Sequence, residues 1–292
     1  MDTLPVTQRK TIPILCLLTA ATVWGLVWYP YRVLEAEGMS GIEASVLTYL
    51  TATTVGLILW RKQLRAARIT PMLIAIALAG GACNLGYVAA TLLGEIARVL
   101  LLFYLSPLWT VIFARLILRE RLTAISAAVI VVSLCGAGIM LWHPEEGLPW
   151  PASMGEWLGL GAGVFFSLSN VLGKKAGEVS IELKSLAIFV GAVVLGSLAW
   201  PFFPNTEWQL PGTSWLMLAV VGGTIAITNV LVQYAITQTQ AAHAIVVLLF
   251  ELVVAAVASW FLAGETLGLR DWIGGGLIIG ASLLSMRISS GH

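Results

Sequence analysis

The chain has 292 residues, 59% of them hydrophobic and 11% charged, with a mean hydropathy of +0.92 and a net charge of +1. Soluble domains carry about 25% charge, so this chain cannot solvate a water-facing surface, and its solvent must be lipid. The balanced charge argues against a nucleic-acid partner. Cys16, Cys83 and Cys135, odd in number and all inside apolar runs, argue against a disulfide framework or a metal set.

Ten apolar runs follow one another, each near one bilayer thickness: 12–31, 43–60, 71–92, 96–118, 123–142, 156–174, 184–203, 213–236, 241–263 and 270–288. Arg9 and Lys10 precede the first run. That run continues past Trp24 and Trp28 to Tyr31, too long and too aromatic for a cleaved signal peptide. Turn residues separate the runs at 35–38, 143–147 and 203–205. The break at 237–240 is so short that the eighth and ninth runs must be antiparallel neighbours. If the N-terminus is cytoplasmic, 13 of the 16 Lys and Arg fall on the inside, leaving Arg32, Arg98 and Arg270 outside. With an even number of spans, both termini are then cytoplasmic.

The fourth and ninth runs are two copies of one pattern. Placing Glu120 on Glu265 puts Arg98 on His243, Asn84 on Asn229, Ser106 on Glu251 and Pro107 on Leu252. The chain therefore divides into halves, 1–148 and 149–292, of five runs each. Five is odd, so the second half enters the membrane from the opposite face. Two inverted halves supply two related packings with a site between them. The expected fold is an all-α integral membrane protein, with ten transmembrane helices in two inverted five-helix repeats around a central cavity. Glycine clusters inside the runs (80–81, 136–138, 161–163, 222–223, 274–276) mark close helix contacts. Pro107 should kink the fourth run; Leu252 gives the ninth no such kink, so the halves should bend unequally.

Glu251 is the carboxylate nearest the middle of a run. A charge in hydrocarbon is expensive and faces a cavity or a partner. Proton coupling, pairing with a substrate ammonium, or a protonated Glu bonded to a neighbouring helix all suit it. Arg98 and His243 stand at equivalent mouths, as gates or contacts for a carboxylate, or as helix caps and snorkelling side chains. His243 and Glu251 share one helical face, about 12 Å apart along the axis. Asn84 and Asn229 are amides at matching depth, with Tyr87 and Gln233 one turn away; they can bind substrate or bond helices together. Asn170, Ser167 and Ser169 add a polar patch. Trp24, Tyr87, Phe103, Tyr104, Trp109, Phe165 and Phe166 lie deep enough to line a cavity, although packing accounts for each singly. No phosphate-loop, zinc-protease or nucleophile-elbow motif is present, so no enzyme and no cofactor is expected.

Several of these residues resemble a known family. Ala21-Thr22-Val23-Trp24-Gly25 is similar to the opening of the EamA repeat, as are Pro107 and Trp109 followed by Leu118 to Thr123. Gly264-Glu265-Thr266-Leu267, then Gly275 and Leu277 to Gly280, is similar to the same motif in the second half. The second half departs from the first at Phe165-Phe166, which stands where Trp24-Gly25 stands. The chain thus resembles the drug/metabolite transporter superfamily, and within it the YddG-type exporters of aromatic and other amino acids. That resemblance implies a bacterial inner-membrane exporter working by alternating access, without a cofactor, sufficient as a monomer in the lipid bilayer. Trp24, Tyr87, Trp109 and Phe165 are expected around the substrate side chain, and Asn84, Asn229, Gln233 and Glu251 at its polar end. A drug or organic-cation exporter relying on Glu251 is the rival reading. A membrane enzyme or structural protein is the reading of another class. A sugar-phosphate exchanger needs basic residues deep in the bundle, and no Lys lies mid-run.

Overall fold

A computed structural model of the chain describes residues 6–65, 68–94, 96–142, 150–203, 211–263 and 268–291. Glu265, the 143–147 turn, most of the 203–205 turn and the expected boundary between halves lie outside the described residues. Among those described, every regular element is helical. The first half provides α1 (Val6–Ala36), α2 (Gly41–Leu59), the short α3 (Arg61–Arg65) and α4 (Pro71–Leu93). Then come α5 (Ile96–Phe103), α6 (Ser106–Phe113) with a π turn (Ala114–Leu118), and α7 (Ala124–Leu141). The second half provides α8 (Met154–Lys175), α9 (Ile181–Ala199), α10 (Gly212–Gln238), α11 (Ala241–Leu248), α12 (Phe250–Ala263) and α13 (Leu269–Gly291).

The helix starts follow from capping chemistry. Ser40 accepts from the Glu43 N–H while Glu43 accepts from the Ser40 N–H at 2.8 Å, closing a capping box on α2. Thr70 before Pro71, Thr123, Ser153 and Ser180 cap α4, α7, α8 and α9 in the same way, each accepting an otherwise orphaned N–H. Within the helices, Thr51, Thr53 and Thr54 donate back to carbonyls one turn earlier, so their hydroxyls are satisfied without water.

Among the described residues, eight segments are long and apolar enough to cross a membrane: α1, α2, α4, Arg98–Leu118, α7, Ile181–Phe202, α10 and Ala241–Leu262. The chain is a multi-pass membrane protein. Helices α8 and α13 fall outside that set of eight, yet each lies along a member of it. Arg98 pairs with Glu156 at one end of α8 and Glu120 pairs with Lys174 at the other, so α8 runs parallel to Arg98–Leu118 over its whole length. Arg270 donates to the Trp142 carbonyl while Gly274 meets Gly136, so α13 runs antiparallel beside α7.

The packing between halves has an internal logic. α4 lies along α8 and α9, while α10 lies along α1 and α2. α8 lies against α5 and α6, while α1 lies against α12. α7 pairs with α13, and α2 with α9. Exchange the halves and each contact becomes another of the set. Glycine makes the closest of these crossings. A side chain at Gly81 would meet the Gly191 carbonyl at 2.4 Å, and one at Gly222 the Thr48 carbonyl at 2.7 Å. Gly138, Gly161, Gly223 and Gly276 face open space instead, so packing explains only some of the glycines expected to do it.

Candidate functional site: two broken helices joined by Tyr104 and Glu251

The fourth apolar run is not one kinked helix but two helices with a break at Tyr104 and Leu105. Pro107 explains it: proline has no N–H, and its ring clashes with the carbonyl four residues earlier. The chain tightens through the gap, with Leu105 N–H on Leu102 O at 3.3 Å and Leu108 N–H on Leu105 O at 3.0 Å. The ninth run breaks too, at Leu249, with Leu252 N–H on Leu249 O at 3.1 Å. In the repeat alignment Tyr104 falls on Leu249, so the two breaks stand in register although the second lacks a proline. Leu252 therefore does not keep the ninth run continuous. What the breaks share is a glycine from the first helix of the other half. A side chain at Gly163 of α8 would meet the Phe103 carbonyl at 2.6 Å, the carbonyl that Pro107 deprives of a donor. A side chain at Gly25 of α1 would meet the Glu251 carbonyl at 2.7 Å. Glycine lets a neighbouring backbone cover the loosened turn.

The two breaks meet through side chains. The Tyr104 hydroxyl donates to Glu251 Oε1 at 2.5 Å. Glu251 sits in the first turn of α12 and is half-buried. Tyr87 of α4 lies in the field of the same carboxylate. A run of rings surrounds the junction: Tyr87 on Phe103 (5.1 Å between centroids), Phe103 on Tyr104 (5.4 Å), Phe103 on Phe166 (5.5 Å), and Phe166 on Trp24 (6.1 Å). Edge-on and tilted pairs of this kind leave ring faces available to a cation or another ring.

Beyond Phe166 along α8, the character changes to uncharged polar groups. Ser167 donates to the Ser106 carbonyl at 2.8 Å. Asn170 Nδ2, Thr110 Oγ1, the Trp109 indole N–H, Asn229 Oδ1 and both amide atoms of Gln233 are buried without a hydrogen-bond partner among the described residues. Gln233 is 1% exposed and its Oε1 stands 2.6 Å from where a side chain at Gly173 would begin. Orphaned groups in lipid cost several kcal/mol each, so a polar guest here has much to gain.

The remaining expected site residues are distributed as follows. Trp24, Tyr87 and Glu251 converge on the breaks; Trp109, Asn229 and Gln233 belong to the orphaned set. Asn84 accepts from Ser45 of α2 at 2.8 Å. Phe165 lies outside the ring cluster and is 40% exposed; Phe166, its neighbour, occupies the place expected for it. The break at Leu249 stands between His243 and Glu251, so the two are not on one continuous helix. His243, 4% exposed, bonds Ser126 of α7 through Nε2 at 2.8 Å. Arg98 bonds Glu156 and the Trp150 carbonyl, each at 3.2 Å.

Each mouth of the fourth run is thus tied to α8 by an ion pair. At the far mouth, Arg119 takes a left-handed conformation (φ 59°), unusual for a residue with a side chain, and turns the chain so that Glu120 points back. Glu120 meets Lys174 at 2.5 Å and accepts the Ala241 N–H at 3.3 Å, while Lys174 also donates to the Thr239 carbonyl. A cavity of about 490 Å³ opens beside this knot, lined by Val111, Arg115, Glu120, Arg121 and Gln240 among others. Sequence reasoning did not find Glu156 or Lys174 as partners. Glu156 carries a signal, standing three residues after Ser153 at capping-box spacing; Lys174 carries none.

The sequence model of EamA-like transporters matches residues 11–142 and 153–287. The chain belongs to the EamA-like transporter family. This EamA-like chain is similar to an uncharacterized transporter of Archaeoglobus fulgidus, 28% identical over 202 residues that cover 69% of this chain and 71% of the relative. It is similar also to an uncharacterized transporter of Pseudomonas aeruginosa, 25% identical over 221 residues and 69% of each chain. One protein of known crystal structure shares the fold, with a TM-score of 0.82 at 18% identity, over 95% of this chain and 96% of that one.

Proposed function

We propose that this EamA-like transporter exports amino acids, aromatic ones foremost, in the manner of the YddG-type group. The observation that carries the reading is the junction of the two broken helices, where a carboxylate and a ring cluster lie together. Glu251 takes the substrate ammonium. Trp24, Tyr87, Phe103 and Phe166 take the side chain. Trp109, Asn170 and Gln233 supply N–H donors for the carboxylate, with Asn229 beside them.

Ten spans in two inverted halves, 1–148 and 149–292, carry the movement. Three findings support this layout: α8 and α13 run the length of accepted spans, contacts interchange when the halves are swapped, and the breaks fall at equivalent positions. Discontinuous helices at the midplane are where such carriers hold substrate. Thirteen of 16 basic residues fall on the Glu120 side in this layout, which supports reading it as the cytoplasmic face of a bacterial inner membrane, with both termini there. Rocking of the halves then opens one mouth while the other is held by its ion pair.

Purified protein in liposomes loaded with labelled phenylalanine tests this. Efflux from the wild type, lost in Trp24→Ala, is expected; no flux of any amino acid would end the proposal.

A further inference from the structure

We infer that the cavity beside Glu120 is a binding site for the phosphate of an anionic phospholipid headgroup, held by Arg115 and Arg121 where the fourth run ends and the ninth begins. The site is separate from the junction of the broken helices. It stands whether or not amino acids are what the protein carries.

Two walls make this cavity of about 490 Å³. One is the end of the fourth run, with Val111 on α6, Arg115 in the π turn, and Arg121 and Leu122 just beyond it. The other is the start of α11, with Gln240 and Ala242. Glu120 fixes one wall to the other by accepting the Ala241 N–H at 3.3 Å. The left-handed turn at Arg119 brings Glu120 and Arg121 to the same cavity. Sites for small ligands run from about 300 to 1,000 Å³, so a headgroup phosphate with its glycerol fits a space of this size.

The cavity is positively charged. Glu120 is the one carboxylate among its described lining residues, and Lys174 of α8 neutralises it. Arg115 and Arg121 are exposed and form no ion pair among the described residues. Two guanidinium groups are therefore left over, and their planar forks match phosphate oxygens. Gln240 adds an amide that does not cap α11. Ala242 lies in the first turn of that helix, where backbone N–H groups lack helical acceptors and favour an anion. The repeat itself does not demand these cations. In the alignment of the halves Arg115 falls on Trp260, Arg121 on Thr266 and Gln240 on Glu95. The equivalent positions of the opposite mouth carry no cation and one carboxylate.

The apolar side of the cavity selects the source of the phosphate. Val111 and Leu122 line it. Leu108, Ile112 and Leu116 continue beside Arg115 as an exposed stripe, four residues apart. On a membrane-spanning segment that stripe faces lipid, so acyl chains can lie along it while the phosphate reaches the arginines. A free phosphate makes no use of it. Arg61 and Lys62 of α3 offer a contrast. They are exposed cations on a five-residue helix with no buried residue, and they attract an anionic surface without forming a pocket.

The test titrates the full chain in detergent with dioleoylphosphatidylglycerol or dioleoylphosphatidylcholine and counts bound lipids by native mass spectrometry. Wild type is expected to prefer phosphatidylglycerol. Arg115→Gln with Arg121→Gln should lower that affinity roughly tenfold or more, the factor expected for two basic residues beside an anionic headgroup. Arg61→Gln with Lys62→Gln should leave it unchanged. Equal binding of the two lipids by wild type, or an equal loss in the α3 variant, would overturn the inference. A second measurement needs no variant and so decides the matter even if the double arginine variant fails to fold. Phosphatidylglycerol with a photoreactive headgroup, in liposomes, is expected to crosslink within 111–122 or 240–242; crosslinks confined to other segments would overturn the inference. Thermal unfolding identifies the source. Phosphatidylglycerol is expected to raise the melting temperature where sodium phosphate and glycerol 3-phosphate at equal concentration do not; equal stabilisation by the soluble anions would overturn the assignment to lipid. No readout here involves transport, so failure of the amino-acid reading leaves this result standing on its own.

Discussion

Tyr104 and Glu251, 147 positions apart, meet at 2.5 Å across the breaks in the fourth and ninth apolar runs. Phe103 and Phe166 pack beside that bond. Tyr104→Phe keeps the ring and deletes the donor. A hydrogen bond to a charged group contributes about 1.5–3 kcal/mol, so phenylalanine flux should fall roughly tenfold or more, and the melting temperature should fall with it. Flux and melting in detergent, measured on the same preparation, check both parts.

Neighbouring phenylalanines on α8 should behave differently. Phe166 bridges Trp24 and Phe103, whereas Phe165 is 40% exposed and joins no ring among the described residues. Phe166→Ala should lower the melting temperature and slow flux, at a cost somewhat below the about 3–5 kcal/mol of a fully buried ring. Phe165→Ala should change neither by much. Equal effects from the two would remove the ring cluster from the site.

The breaks depend on covering glycines as well as on proline. Gly163→Val places its Cβ within 2.6 Å of the Phe103 carbonyl oxygen and must push α8 away from α5. Overpacking of this kind costs about 1–3 kcal/mol. Pro107→Leu copies the ninth run, which breaks with Leu252 in the equivalent place. It should retain folding and much of the flux, where Gly163→Val should not. Thermal unfolding of the two variants side by side makes the comparison.

Glu120 and Lys174 close one mouth, and Glu120 also holds the first N–H of α11. Lys174→Met should loosen that mouth. A cysteine placed at Ser106, which is 2% exposed, should then react faster with a small water-soluble thiol reagent added from that side, in a background lacking Cys16, Cys83 and Cys135. Reversing the pair, Glu120→Lys with Lys174→Glu, should restore only part of the protection, because the Ala241 N–H loses its acceptor.

Much of the fold was legible because lipid leaves so few choices. An apolar run of bilayer length must be a helix, and Ser, Thr and Pro mark where helices begin; the caps at Ser40, Thr70, Thr123, Ser153 and Ser180 are all of that kind. Pro107 announced the first break. The second had no local signal, since Leu252 fits a helix; α1 approaches it through Gly25, a tertiary contact. Glu251 stood out because a carboxylate in hydrocarbon is conspicuous. Tyr104 and Phe166 did not stand out from other deep aromatics, because which ring faces the site depends on helix rotation, and neighbouring residues differ by about 100°. Lys174 and Lys184 read as solvated cytoplasmic charges. One of them pairs with Glu120 and the other is fully buried in the first turn of α9. Charge counting orients a helix but says nothing about where a long side chain goes.

The inverted relation of the halves is the premise on which alternating access rests, and sidedness tests it most directly. Arg121 and Gly268 are both exposed, after the fourth and ninth runs respectively. Single cysteines at these positions, in the background lacking the native thiols, can be probed in sealed vesicles with a membrane-impermeant reagent. The account predicts that one is labelled from the cytoplasmic side alone and the other from the opposite side alone; labelling of both from one side would contradict it.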